Sequence, residues 1–175
     1  WSDGNAFASL DRERIAEAHA NRARLDNAVK SEARQRACDI WQDAEPCESH
    51  PYLKKKNVKP CGARVRPDGA IVIPAMDSSG SIHTLEFIYP DGTKRFLKGG
   101  AKAGHYFAIG EIKDRVCIAE GYATGATIHE ATGDPVVVAF DANNLLPVSR
   151  AIRAKFPSAK IIICADDDFE TPGNP

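Results

Sequence analysis

Three short apolar runs in the last third of this 175-residue chain each run out into acid. Residues 115–120 read RVCIAE, 135–141 read PVVVAFD and 160–168 read KIIICADDD, so Glu120, Asp141 and the Asp166 to Asp168 group all follow on Val and Ile. Asp166 and Asp168 are two apart, so in extended chain they point the same way while Asp167 points to the other side. Carboxylates gathered at one edge repel by about 4 kcal/mol at a spacing of about 4 Å and an effective dielectric of about 20. A hard divalent cation removes that cost, and oxygen ligands of this kind suit Mg²⁺ or Mn²⁺. One acid after a strand is ordinarily a helix cap. Acids after all three runs point instead to a cation site drawn from Glu120, Asp166, Asp168 and Asp141. For Asp141 a capping role, shared with Asn143, stays open. Gly121 and Gly125, in AEGYATGAT, bracket the turn behind Glu120, where small residues let a phosphate or a cation approach a helix N-terminus. Neither GxGxxG nor GxxxxGKS occurs, which disfavours a dinucleotide site or a P-loop.

The charge is unevenly spread. The net value of −1 divides into −3 over residues 1–49, +6 over 50–115 and −4 over 116–175. The basic middle holds Lys54, Lys55, Lys56 and Lys59, then Lys94, Arg95, Lys98 and Lys102 set among Gly99, Gly100 and Gly104. A basic segment beside an acidic one suits an enzyme that handles polyanions with divalent cations, solvated surface being the plain alternative. Tyr52, Tyr106 and Phe107 offer stacking faces for bases, although aromatic residues in strands are more often core. His50, His83, His105 and His129 have no ligand spacing and read as structural or surface residues.

These residues need a scaffold. Continuous Val/Ile runs, without alternation, are strands buried on both faces, hence a parallel sheet with crossover helices. Ligands then collect at the carboxyl ends of the strands, where the acids fall. Helices are predicted over 121–133, ended by Gly133, and over 144–157, with Pro147 tolerable in a first turn. Upstream, 70–77, 81–90 and 93–99 read as strands separated by DSSG and PDG turns, which predicts an antiparallel meander. Residues 47–68 read as an irregular basic segment. Residues 10–45 read as one long helix or two, with Leu25, Val29, Ala33, Ala37, Ile40, Trp41 and Ala44 in one narrow stripe and Pro46 as the stop. The expected organisation is a helical segment or linker at 1–46, a basic β-rich subdomain at 47–112, and an α/β unit (α+β for the whole chain) at 113–175. That last unit is expected to be truncated at its C-terminal end.

Composition narrows the class. An apolar share of 43% excludes disorder, and no apolar run approaches the roughly 20 residues that span a bilayer. Five cysteines without a CxxC pair argue against a disulfide framework or a zinc site. The opening WSDGNAFASLDRER lacks the form of a secretory signal, so a cytoplasmic protein is expected.

The residues also carry a resemblance. Glu120 in IAEGYATG and the Asp166–Asp168 pair in ICADDD resemble the Glu and DxD elements of the Toprim domain, the catalytic fold of bacterial-type primases, topoisomerases and some nucleases. The wording EGYATGATIHEATG, VVVAFDANNL and IIICADDD is similar to plasmid- and phage-encoded DNA primases. So is the upstream stretch from DGAIVIPAMD to TKRFLKGGAKAGHYFAIG, placed like the basic motif of replicative primases. The resemblance spans about residues 46–170. It implies a Rossmann-like Toprim sheet and RNA primer synthesis from nucleoside triphosphates on single-stranded DNA with Mg²⁺ or Mn²⁺. It also implies fused or associated helicase or transfer domains. In that reading Glu120, Asp166 and Asp168 are catalytic, while the lysines and Arg95 hold template or triphosphate. A Toprim nuclease or topoisomerase domain, or a non-catalytic nucleic-acid-binding module, are the alternatives.

Overall fold

The computed structural model describes residues 3–165. The N-terminal third is a single helix, α1 (Asp3–Asp43), that stays exposed from residue 12 to residue 32. Burial begins at Ala33 and Ala37, both fully buried, and these small side chains let the helix lie close on a sheet through Val72, Leu85 and Phe87. The Arg64 guanidinium stacks over the Trp41 ring at 4.5 Å and donates to the Trp41 carbonyl at 2.7 Å, fastening the last turn.

That sheet contains β1 (Glu45–Pro46), β2 (Arg64–Val65), β3 (Ile71–Met76), β4 (Ile82–Ile88) and β5 (Lys94–Phe96), in sequential antiparallel order. The meander predicted from the strand runs and their turn sequences is present. Its first turn is held by Asp77, whose Oδ1 accepts the Ser79 and Ser81 N–H groups at 2.8 and 3.1 Å. Pro74 is tolerated in β3 because β2 pairs only as far as Val72, leaving that edge without a partner strand.

Inside the stretch read as irregular, residues Pro51–Lys56 form a short helix, α2. His50 caps it by accepting the Tyr52 N–H at 3.2 Å, Pro51 opens it, and Asn57 closes it in the left-handed region at φ 54°. A histidine cap is outside the usual Ser/Thr/Asp/Asn set, so the start signal was not visible.

The second sheet contains β6 (Phe107–Ile109), β7 (Arg115–Ala119), β8 (Val136–Val138) and β9 (Lys160–Cys164), in the order β6-β8-β7-β9. β7 runs parallel to both β8 and β9, and β6 is an antiparallel edge. β6 therefore belongs to the second sheet, although its residues precede the 112/113 boundary drawn from the sequence. Helices α3 (Tyr122–Thr132) and α4 (Ala142–Lys155) cover opposite faces. Cys117, Ala119, Val136 and Val138 face Ala126 of α3, whereas Val116, Ile118 and Val137 face Val148 and Ile152 of α4. Burial on both faces is why these strands read as unbroken Val/Ile. Each such side chain contributes about 1.5–3 kcal/mol.

α4 starts two residues earlier than predicted, because Asp141 caps it. Pro147 consequently falls in the second turn, where its missing N–H leaves the Asn143 carbonyl without an intrahelical partner. The two sheets share one core. Ile71, Ile73 and Ile88 of the first pack with Phe107, Ile109 and Tyr122 around the second.

Candidate nucleotide and cation site

Chain leaving β7 turns into α3 on one face of the sheet, and chain leaving β8 turns into α4 on the other. Diverging connections open a crevice at the carboxyl ends of these neighbouring strands. Glu120 stands at the end of β7, partly buried, and makes no hydrogen bond or ion pair among the described residues. The register Ala119↔Cys164 brings the end of β9 level with the end of β7. Asp166 and Asp168 lie outside the described residues, so the geometry at hand concerns Glu120, Asp141 and the basic side chains.

Asp141 is fully engaged. Its Oδ1 accepts the Asn144 N–H at 3.0 Å, and its Oδ2 pairs with the Lys102 ammonium. The capping role that the sequence left open is therefore the one this carboxylate fills, completed by Asn144 and not by Asn143. Lys102 also lies over the Phe96 ring at 5.2 Å, and Phe96 meets Phe140 edge-on at 5.4 Å. Phe140, just before Asp141, sits at φ 76°, a left-handed backbone that a bulky residue holds only when its surroundings enforce it.

The first sheet contributes more. Pairing of Ile88 with Lys94 and of Glu86 with Phe96 sets these residues on the face turned toward the second sheet. Lys94 reaches across, so that a Cβ added at Gly121 would lie 3.7 Å from its ammonium. The Lys94 ammonium therefore lies beside the turn that follows Glu120. Gly125 has a different job. A Cβ there would meet Val138 at 3.0 Å and Val136 at 3.3 Å, so glycine lets α3 sit close on β8 and plays no visible part in a phosphate turn.

Glu86 was not singled out in the sequence. It is 3% exposed, and its Oε2 has no hydrogen-bond partner. Burial pushes its carboxyl up to about 6, against the opposing pull of the Lys94 and Lys102 charges. The alternation Thr84, Glu86, Ile88 was legible, but not that the face carrying it is covered by a second sheet.

The other basic residues separate. Arg95 pairs across from Phe87, so alternation turns it to the opposite face, beside Tyr89, Asp91 and Thr93. Lys98 is exposed and its carbonyl accepts from Arg36 of α1 at 3.1 Å. Lys54, Lys55 and Lys56 are exposed on α2. The Lys59 N–H donates to Glu130 at 2.6 Å, near the end of α3 remote from Glu120. Of the predicted basic set, Lys94 and Lys102 are the two brought to the crevice. Tyr122 is wholly buried, which pushes its phenol well above the usual range, and its hydroxyl accepts the Cys61 N–H at 2.9 Å, a bond that pulls the other way. The histidines are structural: His50 is a cap, His83 bonds Asp77 at 2.8 Å and stacks on His105, and His129 bonds the Asp134 carbonyl.

Glu120 fits a hard cation, since its carboxylate oxygens have no hydrogen-bond or ion-pair partner among the described residues. Asp141 fits less well, because binding would displace both a cap and a lysine. No group of three acids, histidines or cysteines able to hold a metal occurs among the described residues.

A mostly parallel sheet with Glu at its first parallel strand end, fronted by a basic antiparallel sheet, defines a Toprim-type catalytic fold. Residues 115–174 match the Toprim domain family. Over 95% of its length the chain is 35% identical to a DNA primase TraC of Escherichia coli, and over 69% of its length it is 40% identical to a second DNA primase TraC of that species. It spans 12% of the length of each. Across 70% of the chain the fold matches 56% of the primase fragment of the bacteriophage T7 primase-helicase protein, with a TM-score of 0.53 at 17% identity, a likeness of fold. Residues 115–174 carry a Toprim domain, and nearly the whole chain is similar to part of these DNA primases.

Proposed function

We propose that this chain is the catalytic core of a primase, joining ribonucleotides on single-stranded DNA by metal-dependent nucleotidyl transfer. The observation that carries the reading is Glu120, uncommitted at the end of β7, with the Lys94 ammonium beside Gly121 and β9 leading alongside into the DxD acids. In this reaction the 3′-hydroxyl of one nucleotide attacks the α-phosphate of the next, and pyrophosphate leaves. Glu120, Asp166 and Asp168 would hold Mg²⁺ or Mn²⁺, which when bound supplies charge neutralisation at the phosphoryl oxygens. Glu120 has a second role available, accepting the proton of the attacking hydroxyl directly or through water. Lys94 and Lys102 place positive charge where the triphosphate lies. Lys54, Lys55 and Lys56 track template phosphates from an exposed helix, giving an affinity that falls with salt. Nucleoside triphosphates and single-stranded DNA are the partners in this reading, with helicase or transfer domains fused or associated, in the cytoplasm. No described helix is long and apolar enough to cross a membrane.

The test uses the full-length protein, single-stranded template and labelled nucleoside triphosphates. Glu120→Gln should lower primer synthesis by at least a hundredfold, while template binding holds within twofold. Unchanged synthesis in this variant would remove Glu120 from the chemistry and the reading with it.

A further inference from the structure

Asn144 is 3% exposed and has every polar atom of its side chain engaged. Its Oδ1 accepts the Gly104 N–H at 2.8 Å. Its Nδ2 donates to the carbonyls of Ala139 at 2.8 Å, His105 at 3.0 Å and Lys102 at 3.3 Å. Its backbone N–H binds the Asp141 carboxylate at 3.0 Å. One amide therefore joins three places: the end of β8, the first turn of α4 and the Lys102–His105 turn. The turn also has its own His105 N–H to Lys102 carbonyl bond of 3.0 Å, a left-handed Gly104 at φ 76° and the His105 ring stacked on His83, but on the side of α4 and β8 Asn144 is the side chain that bonds its backbone. Lys102 springs from this turn, and its ammonium reaches Asp141, the residue capping the same helix.

We propose that Asn144 is a positioning residue for Lys102. By bonding the Lys102–His105 turn to α4, it holds the Lys102 ammonium at the carboxyl edge of the second sheet, where an oxygen of the incoming nucleotide's triphosphate replaces Asp141 as its partner. The inference rests on the primase reading and adds to it the residue that sets nucleotide affinity. With the Lys102 backbone already anchored, only the side-chain rotamers remain to be ordered when the triphosphate binds. Only an amide satisfies this place. A carboxylate keeps the acceptor for Gly104 but has no proton for three carbonyls, and a serine is too short to reach both sides.

The experiment is a double-mutant cycle in the full-length protein between Asn144→Ser and Lys102→Ala, read by primer synthesis. Asn144→Ser should raise the KM for nucleoside triphosphates about tenfold with kcat within about twofold, the equivalent of one lost contact made equally in ground and transition state. In the Lys102→Ala background the same change should add less than twofold to KM. Asn144→Asp serves as the second variant if the serine protein folds poorly. In both variants a lysine-specific endoproteinase should cut native protein at Lys102 several times faster than wild type, with template binding unaltered. Equal KM effects with and without Lys102, or unchanged cleavage at Lys102, overturn the inference. Loss of primer synthesis from wild type itself overturns the primase reading, and the two failures are told apart by that control.

Discussion

Replacing the buried Glu86 by glutamine should make the protein more stable above neutral pH and leave it unaffected in acid. The carboxyl is pushed from its ordinary 4.5 up to about 6 by burial beneath the second sheet. The folded state therefore holds its proton more tightly than the unfolded chain does. Between pH 4.5 and about 6 the native state binds more protons, so stability falls as pH rises through that window and the loss is complete above it. At about 1.4 kcal/mol for each tenfold change in proton affinity, the difference between 4.5 and about 6 amounts to about 2 kcal/mol. Glu86→Gln keeps the shape and cannot ionise, so the variant escapes that cost. Denaturant unfolding of both proteins at pH 4, 5, 6, 7 and 8 should show a difference near zero at pH 4 that grows to about 2 kcal/mol by pH 8. In a chain of this size the gain corresponds to a rise in Tm of about 4–8 °C. A difference that stays flat across pH, or a variant less stable at pH 8, would refute the reasoning. The first result would mean that Lys94 and Lys102 offset the burial of the charge, the second that they outweigh it.

Gly100→Ala should cost about 3 kcal/mol or more, read as a lowered denaturant midpoint, because the new Cβ would fall 2.2 Å from Thr84 Oγ1 and 2.4 Å from its Cβ. Tyr122→Phe should cost about 1–3 kcal/mol by removing the partner of the partly buried Cys61 N–H, with no change in the pH dependence of unfolding. Changing Lys54, Lys55 and Lys56 together to Ala should weaken single-stranded DNA binding alike for all sequences and flatten its salt slope; binding that keeps the wild-type slope would make the triplet solvated surface only.

Strands β7 and β8 were legible because burial on two faces demands unbroken apolar runs, as at 116–119 and 136–138, whereas the Ile run of β9 leaves Ile163 exposed. Glu120 was legible for the same reason, being the first charge after such a run. What was hidden depends on long-range contact. Glu86 looks like an outward residue of an alternating strand until a second sheet covers its face. Asn144 looks like an ordinary first-turn asparagine until the turn at Lys102 folds against it. Arg95 and Lys94 are neighbours in sequence, yet strand alternation sends them to opposite faces, and no pattern in TKRF says which one meets the crevice. The edge strand β6, only three residues long, carries too little signal to be assigned to either sheet in advance.

The long first helix has a mechanical consequence. Among its described side chains those of the last turns are the ones that meet the body, and they rest on the segment that leads to Lys102. Arg36 binds the Lys98 carbonyl, and Gly99 lies so close to Val29 and Ala33 that a Cβ there would come within 3.0 Å of the valine. The exposed part from residue 12 to Ala33 is about 30 Å of stiff rod at about 1.5 Å per residue. Used as a lever, it converts a displacement of about 5 Å at its far end into a rotation of about 10° at the seat. A force applied to this rod is therefore delivered, reduced in amplitude and increased in strength, to the loop that sets the position of the basic side chains.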